Sequence, residues 1–203
     1  QFMQSGRQAV KHFILPMPGW RDDVVVFMGP RFAGFDVLKI DDLTQLELLS
    51  RQAIVDLLHF YKANAPGFEK SWLMLTAPQL GARHSRRLVG LHRMTAAETR
   101  SGAVLDDEIG VSPSLSPNLP TVSVPYGALL PRSTDNLLVA GRHISSDAQT
   151  HTFMREIPQC WLTGHAAGVA AALTAGGATR ARDVPVADIR RELTRQGAYL
   201  QSS

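Results

Sequence analysis

The sequence predicts an α/β chain, and three observations carry that expectation. Short runs rich in valine, isoleucine and leucine recur between glycine and proline turns, as in Val24–Met28 and Leu137–Ala140. Between them lie helical stretches with apolar residues three and four apart, the clearest from Thr44 to Ala63. Near the end, Leu137–Ala140 reads as a fully buried strand that exits at Gly141 into a polar loop. A helix opening at Pro158 follows, so strand, glycine and helix start form a corner suited to holding a ligand.

Along the chain, Val10–Leu15 and Val24–Met28 read as paired strands joined by the turn-rich segment from Pro16 to Asp23. Phe32–Ile40 is a further strand candidate. Thr44 with Glu47 forms a capping-box pattern that opens the first long helix. Leu46, Leu49, Ala53, Leu57 and Phe60 make its inward stripe, and Asn64-Ala65-Pro66-Gly67 ends it. Trp72–Thr76 and Arg83–Leu91 read as strands, and on the second the alternation sends Arg83, Ser85 and Arg87 to one face. Thr95 and Glu98 repeat the capping box ahead of a short helix. Asp106-Asp107-Glu108 reads as a solvated turn, and Gly110–Pro120 as an extended surface loop, either a crossing between lobes or a lid over a pocket. Thr121–Tyr126 and Ala128–Pro131 lead back to the corner. From Pro158, small residues at Gly164, Ala167, Gly168, Ala171 and Ala172 leave one helix face nearly bare, as close packing against a sheet or flat ligand would require. Gly176-Gly177 stops that helix, and Pro185 opens a last one with Ile189 and Leu193 inward.

Composition narrows the function. At 203 residues, 44% hydrophobic and 19% charged, the chain is ordinary for a globular protein with a sizeable core. A net charge of +3 without a basic tract argues against nucleic-acid binding. No apolar run is long enough for a membrane span. One cysteine excludes an internal disulfide and fits a reducing, cytoplasmic setting. The first residue is Gln1, which suggests a processed chain, a subunit or a fragment.

NLLVAGRHIS and MREIPQCWLTGHAAGVAAAL together resemble the C-terminal signature of FAD-dependent oxidoreductases with the glutathione-reductase-like two-lobed fold. LTAPQLGARHSRRLVGLHRMT and VPYGALLPRSTDNLLVAG extend the likeness over about Ser71 to Leu173. The resemblance implies an α+β substrate or cap part in residues 1–120. Residues 121–180 would form the C-terminal strand, loop and helix of a Rossmann-like FAD-binding domain, and residues 181–203 a terminal helix and tail. It implies FAD as cofactor and hydride transfer between a small-molecule substrate and flavin N5. Yet no two glycines in the chain are separated by a single residue, so the G-x-G-x-x-G phosphate fingerprint is missing. A partner chain or segment is expected to supply it, giving a hetero-oligomer or processed assembly. Two other readings stay open: a non-catalytic partner or assembly subunit that keeps the fold, and a small-molecule binding module.

The resemblance places Gly141, Arg142, Pro158, Gln159, Cys160 and Gly164 at the cofactor, with the backbone N–H groups of Gln159, Cys160 and Trp161 facing the flavin edge. Arg83, His143 and Arg155 are the catalytic candidates. Arg83, Arg86 and Arg87 are solvated, or some of them line the substrate cavity or brace the loop facing the flavin. His143 donates a proton, touches substrate, attaches the flavin covalently or is simply a satisfied loop histidine. Arg142 and Arg155 flank the corner, where a guanidinium holds phosphate or carboxylate in a two-pronged contact. His84 stands where the resemblance implies an acidic residue. Cys160, on the first helical turn, is either a thiol whose pKa the helix dipole lowers or a small core residue. The spacing of His143, His151 and His165 matches no metal-ligand set.

Overall fold

The computed structural model describes residues 16–114, 117–177 and 180–201, which form two compact units divided between Ser85 and Arg86. Among these residues the chain is mixed α/β, with five α-helices and two two-stranded antiparallel sheets.

In the first unit, β1 (Pro16–Pro18) pairs with β2 (Val25–Phe27), Pro16 opposite Phe27. The expected strand Val10–Leu15 lies outside the described residues. The partner of β2 instead comes from the segment read as turn, and the real connection is the tighter one closed by Gly19 N–H to the Val24 carbonyl at 2.9 Å. Phe32–Ile40 supplies a single bridge residue, Phe32, and no strand. Helix α1 runs over Ile40–Asn64 with Lys39 as its N-cap, five residues ahead of the Thr44 cap that the capping-box pattern suggests. The Thr44 hydroxyl turns back to the Ile40 carbonyl at 2.8 Å, an interior bond that removes it as a cap. Asp41 and Asp42 occupy the first turn, where negative charge favours the helix start. Leu46 and Ser50 are its buried residues; Phe60, expected inward, is exposed. Tyr61 packs with Phe27 at 4.8 Å and with Phe68 at 5.3 Å between ring centroids, which joins helix, sheet and the following loop.

Neither 72–76 nor 83–91 becomes a strand. Leu73, Met74 and Leu75 are exposed, and the β-branched and apolar character of the run finds no neighbouring strand to pair with.

The second unit contains the main core. Helix α2 (Ala96–Ser101) begins at the Thr95–Glu98 capping box, with both reciprocal bonds present. Strand β3 (Glu108–Ser112) pairs with β4 (Val122–Pro125) across an irregular register near its start. The acidic run before it is no solvated turn. Glu108 is wholly buried, its Oε1 accepting from Gln201 N–H at 2.8 Å, and Asp107 Oδ2 accepts from Gly127 N–H at 2.8 Å. The surface loop therefore starts after Ser112 rather than at Gly110.

Leu137–Ala140 is extended but is not a strand. Its described backbone pairing is one bond, Val139 N–H to the Leu129 carbonyl at 2.9 Å, and Leu137 is exposed. A strand is a property of a ladder, and one bond does not make a ladder.

Beyond a short turn at Gly141–His143 come α3 (Ala148–Met154), α4 (Ile157–Gly176) and α5 (Val186–Arg195). Helix α4 packs on β3 and α5 through Gln159, Thr163, Ala166, Val169 and Ala170. Gly110 makes room for this: a Cβ there would lie 2.7 Å from Leu162 Cγ. Ile189 and Leu193 of α5 close the core as expected. Tyr126, buried, donates its hydroxyl to the Ala181 carbonyl at 2.7 Å, and burial pushes its pKa up to about 12.

The glycine-rich face of α4 points the other way. Gly164 and Gly168 meet nothing within 4 Å, so the expected tight packing against a sheet is absent among the described residues. With backbone helical and space open, Gly168→Ala in the isolated chain is expected to raise stability by roughly 0.5–1 kcal/mol. Chemical denaturation checks this, and a loss of stability would mean that the face is covered. No helix among the described residues is long and apolar enough to cross a membrane.

Candidate functional site

The corner is built as the sequence suggests, though by different bonds. Gly141 sits at φ +74°, a left-handed conformation that costs any residue with a Cβ. Its N–H is held by Thr163 Oγ1 at 2.9 Å, while the same hydroxyl donates to the Gln159 carbonyl at 2.8 Å. Thr163 is fully buried, so this one side chain fastens the loop to α4. Thr163→Val, close in shape but unable to accept, strands the N–H of half-buried Gly141. The expected cost is about 1–3 kcal/mol in urea unfolding, with Thr163→Ser near wild type. Equal stability of the two variants would show that the clasp contributes nothing.

The first turn of α4 is differently equipped from the expectation. Glu156 is the N-cap and makes no side-chain capping bond. Cys160 N–H is already taken by the Glu156 carbonyl at 3.0 Å, and Trp161 lies in the helical ladder. The outward donors of this turn are therefore Ile157 and Gln159, with Pro158 contributing none. The Gln159 side chain points into the core, donating to Ser112 Oγ at 2.9 Å. Cys160 Sγ contacts the Arg155 carbonyl at 3.4 Å and would lie 3.6 Å from a Cβ on Gly141. Burial pushes the thiol above its usual pKa against the pull of Arg142, Glu156 adding to the rise and Arg155 opposing it. The lowering expected from the helix dipole does not prevail.

Around the corner, Arg155 pairs with Glu156 at 3.0 Å, and its Nε is buried without a hydrogen-bond partner among the described residues. Arg142 and His143 are exposed in the short turn, and Pro158 and Gly164 are exposed on α4. His151, buried on α3, bonds the Arg142 carbonyl through Nε2 at 3.0 Å and so fixes the turn from behind. Sequence reading set His151 aside with the other histidines; its helical spacing from the Asp147 cap was the signal that places it inward. Arg83 is exposed on an irregular segment at the end of the first unit.

Beside the corner the second unit has an open cleft of about 450 Å³. Arg86, Arg87 and Leu88 form one wall; Leu138, Val139, Ala140 and His143 form the other. Leu88 N–H bonds the His143 carbonyl at 2.7 Å and ties the walls together. That volume is within the range of small-molecule sites, which run to roughly 300–1,000 Å³.

The structure thus offers a bare left-handed glycine, a helix start, flanking guanidiniums and an adjoining cleft. These suit a flat, partly anionic group approached from the Gly141 side; no glycine-rich phosphate loop accompanies them in the sequence. A family model described as FAD dependent oxidoreductase matches residues 7–114 and 115–193. No curated protein and no solved structure matches the chain.

Proposed function

The chain belongs to the FAD dependent oxidoreductase family, and from that premise we propose that it forms the substrate pocket and the flavin-facing corner of a flavoenzyme. The reaction is hydride transfer between a small-molecule substrate and flavin N5, and FAD supplies that redox chemistry when bound. The observation that carries the reading is the Thr163 clasp, which holds Gly141 in a left-handed turn beside the start of α4.

Each residue then has a task. Gly141 admits a flat ring close to the backbone. Ile157 and Gln159 N–H groups, preorganised at the helix start, stabilise negative charge on the ring edge that faces them. Arg142 and Arg155 add positive field, and Cys160, its thiol kept neutral, fills the space beneath Gly141. His143 is placed on the cleft wall to touch substrate or move a proton. Arg83 is a second substrate contact from the cap part, residues 1–120. Pro158 and Gly164 lie along the exposed side of α4, where the remaining cofactor surface and its partner segment would pass.

A partner segment supplies the G-x-G-x-x-G phosphate site. Supporting this, the outward face of α4 exposes Ile157 at 64% and Trp161 at 73% beside Gly164 and Gly168. Large apolar side chains grouped on one helix face are characteristic of interaction surfaces. The test is a titration of the 203-residue chain with FAD, alone and together with the partner that carries the fingerprint. Weak binding alone and stoichiometric binding together are expected; tight binding by the chain alone would sink the partner requirement. Gly141→Val should abolish flavin binding in the assembly, and retained binding would remove the corner from the site.

A further inference from the structure

We propose that the cleft between Arg86–Leu88 and Leu138–His143 receives a carboxylate carried on an apolar body, with Arg87 as its main ion-pair partner. That the bound anion is the substrate rests on the oxidoreductase reading above.

Charge comes first. Arg86 and Arg87 are adjacent cations on one wall, and neither makes an ion pair or side-chain hydrogen bond among the described residues. Arg87 is half-buried, and its Nη1 is shut off from solvent with no acceptor. A partly dehydrated, uncompensated cation is unfavourable, and an arriving anion relieves it. The planar guanidinium matches the two oxygens of a carboxylate.

The rest of the wall selects among anions. A phosphate cradle needs several free backbone donors. Here Leu88 N–H is taken by the His143 carbonyl and Val139 N–H by the Leu129 carbonyl, at 2.7 and 2.9 Å. What remains is two cations over an apolar surface of Leu88, Leu138 and Val139, with no acidic residue lining it. That pairing of charge and grease fits an amphiphilic monocarboxylate better than a phosphate.

The probes are hexanoate, acetate, hexylammonium and inorganic phosphate, titrated into the ¹⁵N-labelled 203-residue chain while backbone amide shifts are followed. Hexanoate is expected to move the Leu88, Val139 and Ala140 resonances and to bind at least about tenfold tighter than acetate, as its methylenes cover the floor. Arg87→Gln should weaken hexanoate at least tenfold with the amide pattern of α4 and α5 unchanged, and Arg87→Lys should weaken it by less, since a point charge replaces a fork. Phosphate or hexylammonium binding as tightly as hexanoate, or full affinity in both Arg87 variants, overturns the proposal. In the flavin-loaded assembly, hexanoate binding alongside FAD supports the substrate assignment. Displacement of hexanoate by FAD overturns it, because the anion site would then be the cofactor's own. Hexanoate binding in an assembly that takes up no FAD supports the carboxylate site and overturns the flavoenzyme reading beneath it.

Discussion

Gly90→Val is expected to destabilise the second unit by about 3 kcal/mol or more, because the added side chain has no room. Gly90 is buried and bridges Pro131, and its N–H donates to Ser145 Oγ at 3.1 Å. A Cβ there would lie 2.7 Å from Ser145 Cβ and 3.0 Å from the Gly127 carbonyl oxygen. Ser145 cannot move aside, because it is itself buried and bonded through its backbone to Ala128 and Met94. The φ of Gly90 is not left-handed, so the penalty is steric rather than conformational. Gly90→Ala should already cost a substantial part of it, and Gly168→Ala should move stability in the opposite direction. Urea unfolding followed by tryptophan fluorescence orders the three variants; Gly90→Val within 0.5 kcal/mol of wild type would show that the segment 88–94 is not locked against 143–146.

That segment also shows why some elements were legible in the sequence and others were not. Helix α5 and the Thr95–Glu98 box depend on contacts within one or two turns, and local spacing reports them. The same capping pattern misplaced the start of α1, because a threonine hydroxyl can bond back to the carbonyl four residues earlier as readily as forward. The runs at 83–91 and 137–140 have strand-like composition, but whether they become strands depends on distant partners. The chain instead braids them with scattered bonds, Leu88 to His143, Leu91 to Leu130 and Arg132 to Val89. No local pattern encodes such pairings.

Helix α4 carries two stripes at helical spacing, and the sequence cannot say which is inside. The glycine stripe suggested close packing. The buried one is Gln159, Thr163, Ala166 and Ala170, half of it polar. The Gln159 amide donates to Ser112 and the Thr163 hydroxyl to the helix's own carbonyls, while Gln159 Oε1 has no partner among the described residues. The corner itself was legible, since a glycine exit and a proline helix start are local signals. The cleft was legible only as one of two readings: the arginines of 83–87 were either solvated or lining a cavity, and only the fold brings Leu138–His143 opposite Arg86 and Arg87.

Asp147→Ala is expected to cost about 2–3 kcal/mol, because one carboxylate caps two helices at once. Its Oδ1 accepts from Thr150 N–H at 2.7 Å at the start of α3, and its Oδ2 accepts from Ala96 N–H at 2.8 Å at the start of α2. Asparagine keeps one oxygen but turns an amide against the other N–H, so Asp147→Asn should fall between the two. Burial raises the Asp147 pKa, but the bonds from Thr150 and Ala96 and the charge of Arg93 outweigh it, leaving the carboxyl below its usual range. A depressed folded-state pKa means that the unfolded chain takes up the proton first. The stabilisation is therefore fully present above the ordinary aspartate value, near pH 4, and fades as pH falls through the lower folded value. Unfolding wild type and Asp147→Ala at pH 7 and again near pH 3 should show the gap between them shrinking in acid. A gap of the same size at both would mean that the carboxylate's charge is not what caps the helices. The consequence reaches the corner, since α3 carries His151 and His151 holds the Arg142 carbonyl. Once α3 frays, the turn at Gly141–His143 loses its support from behind, so broadened amide resonances at these three residues should accompany the lost stability.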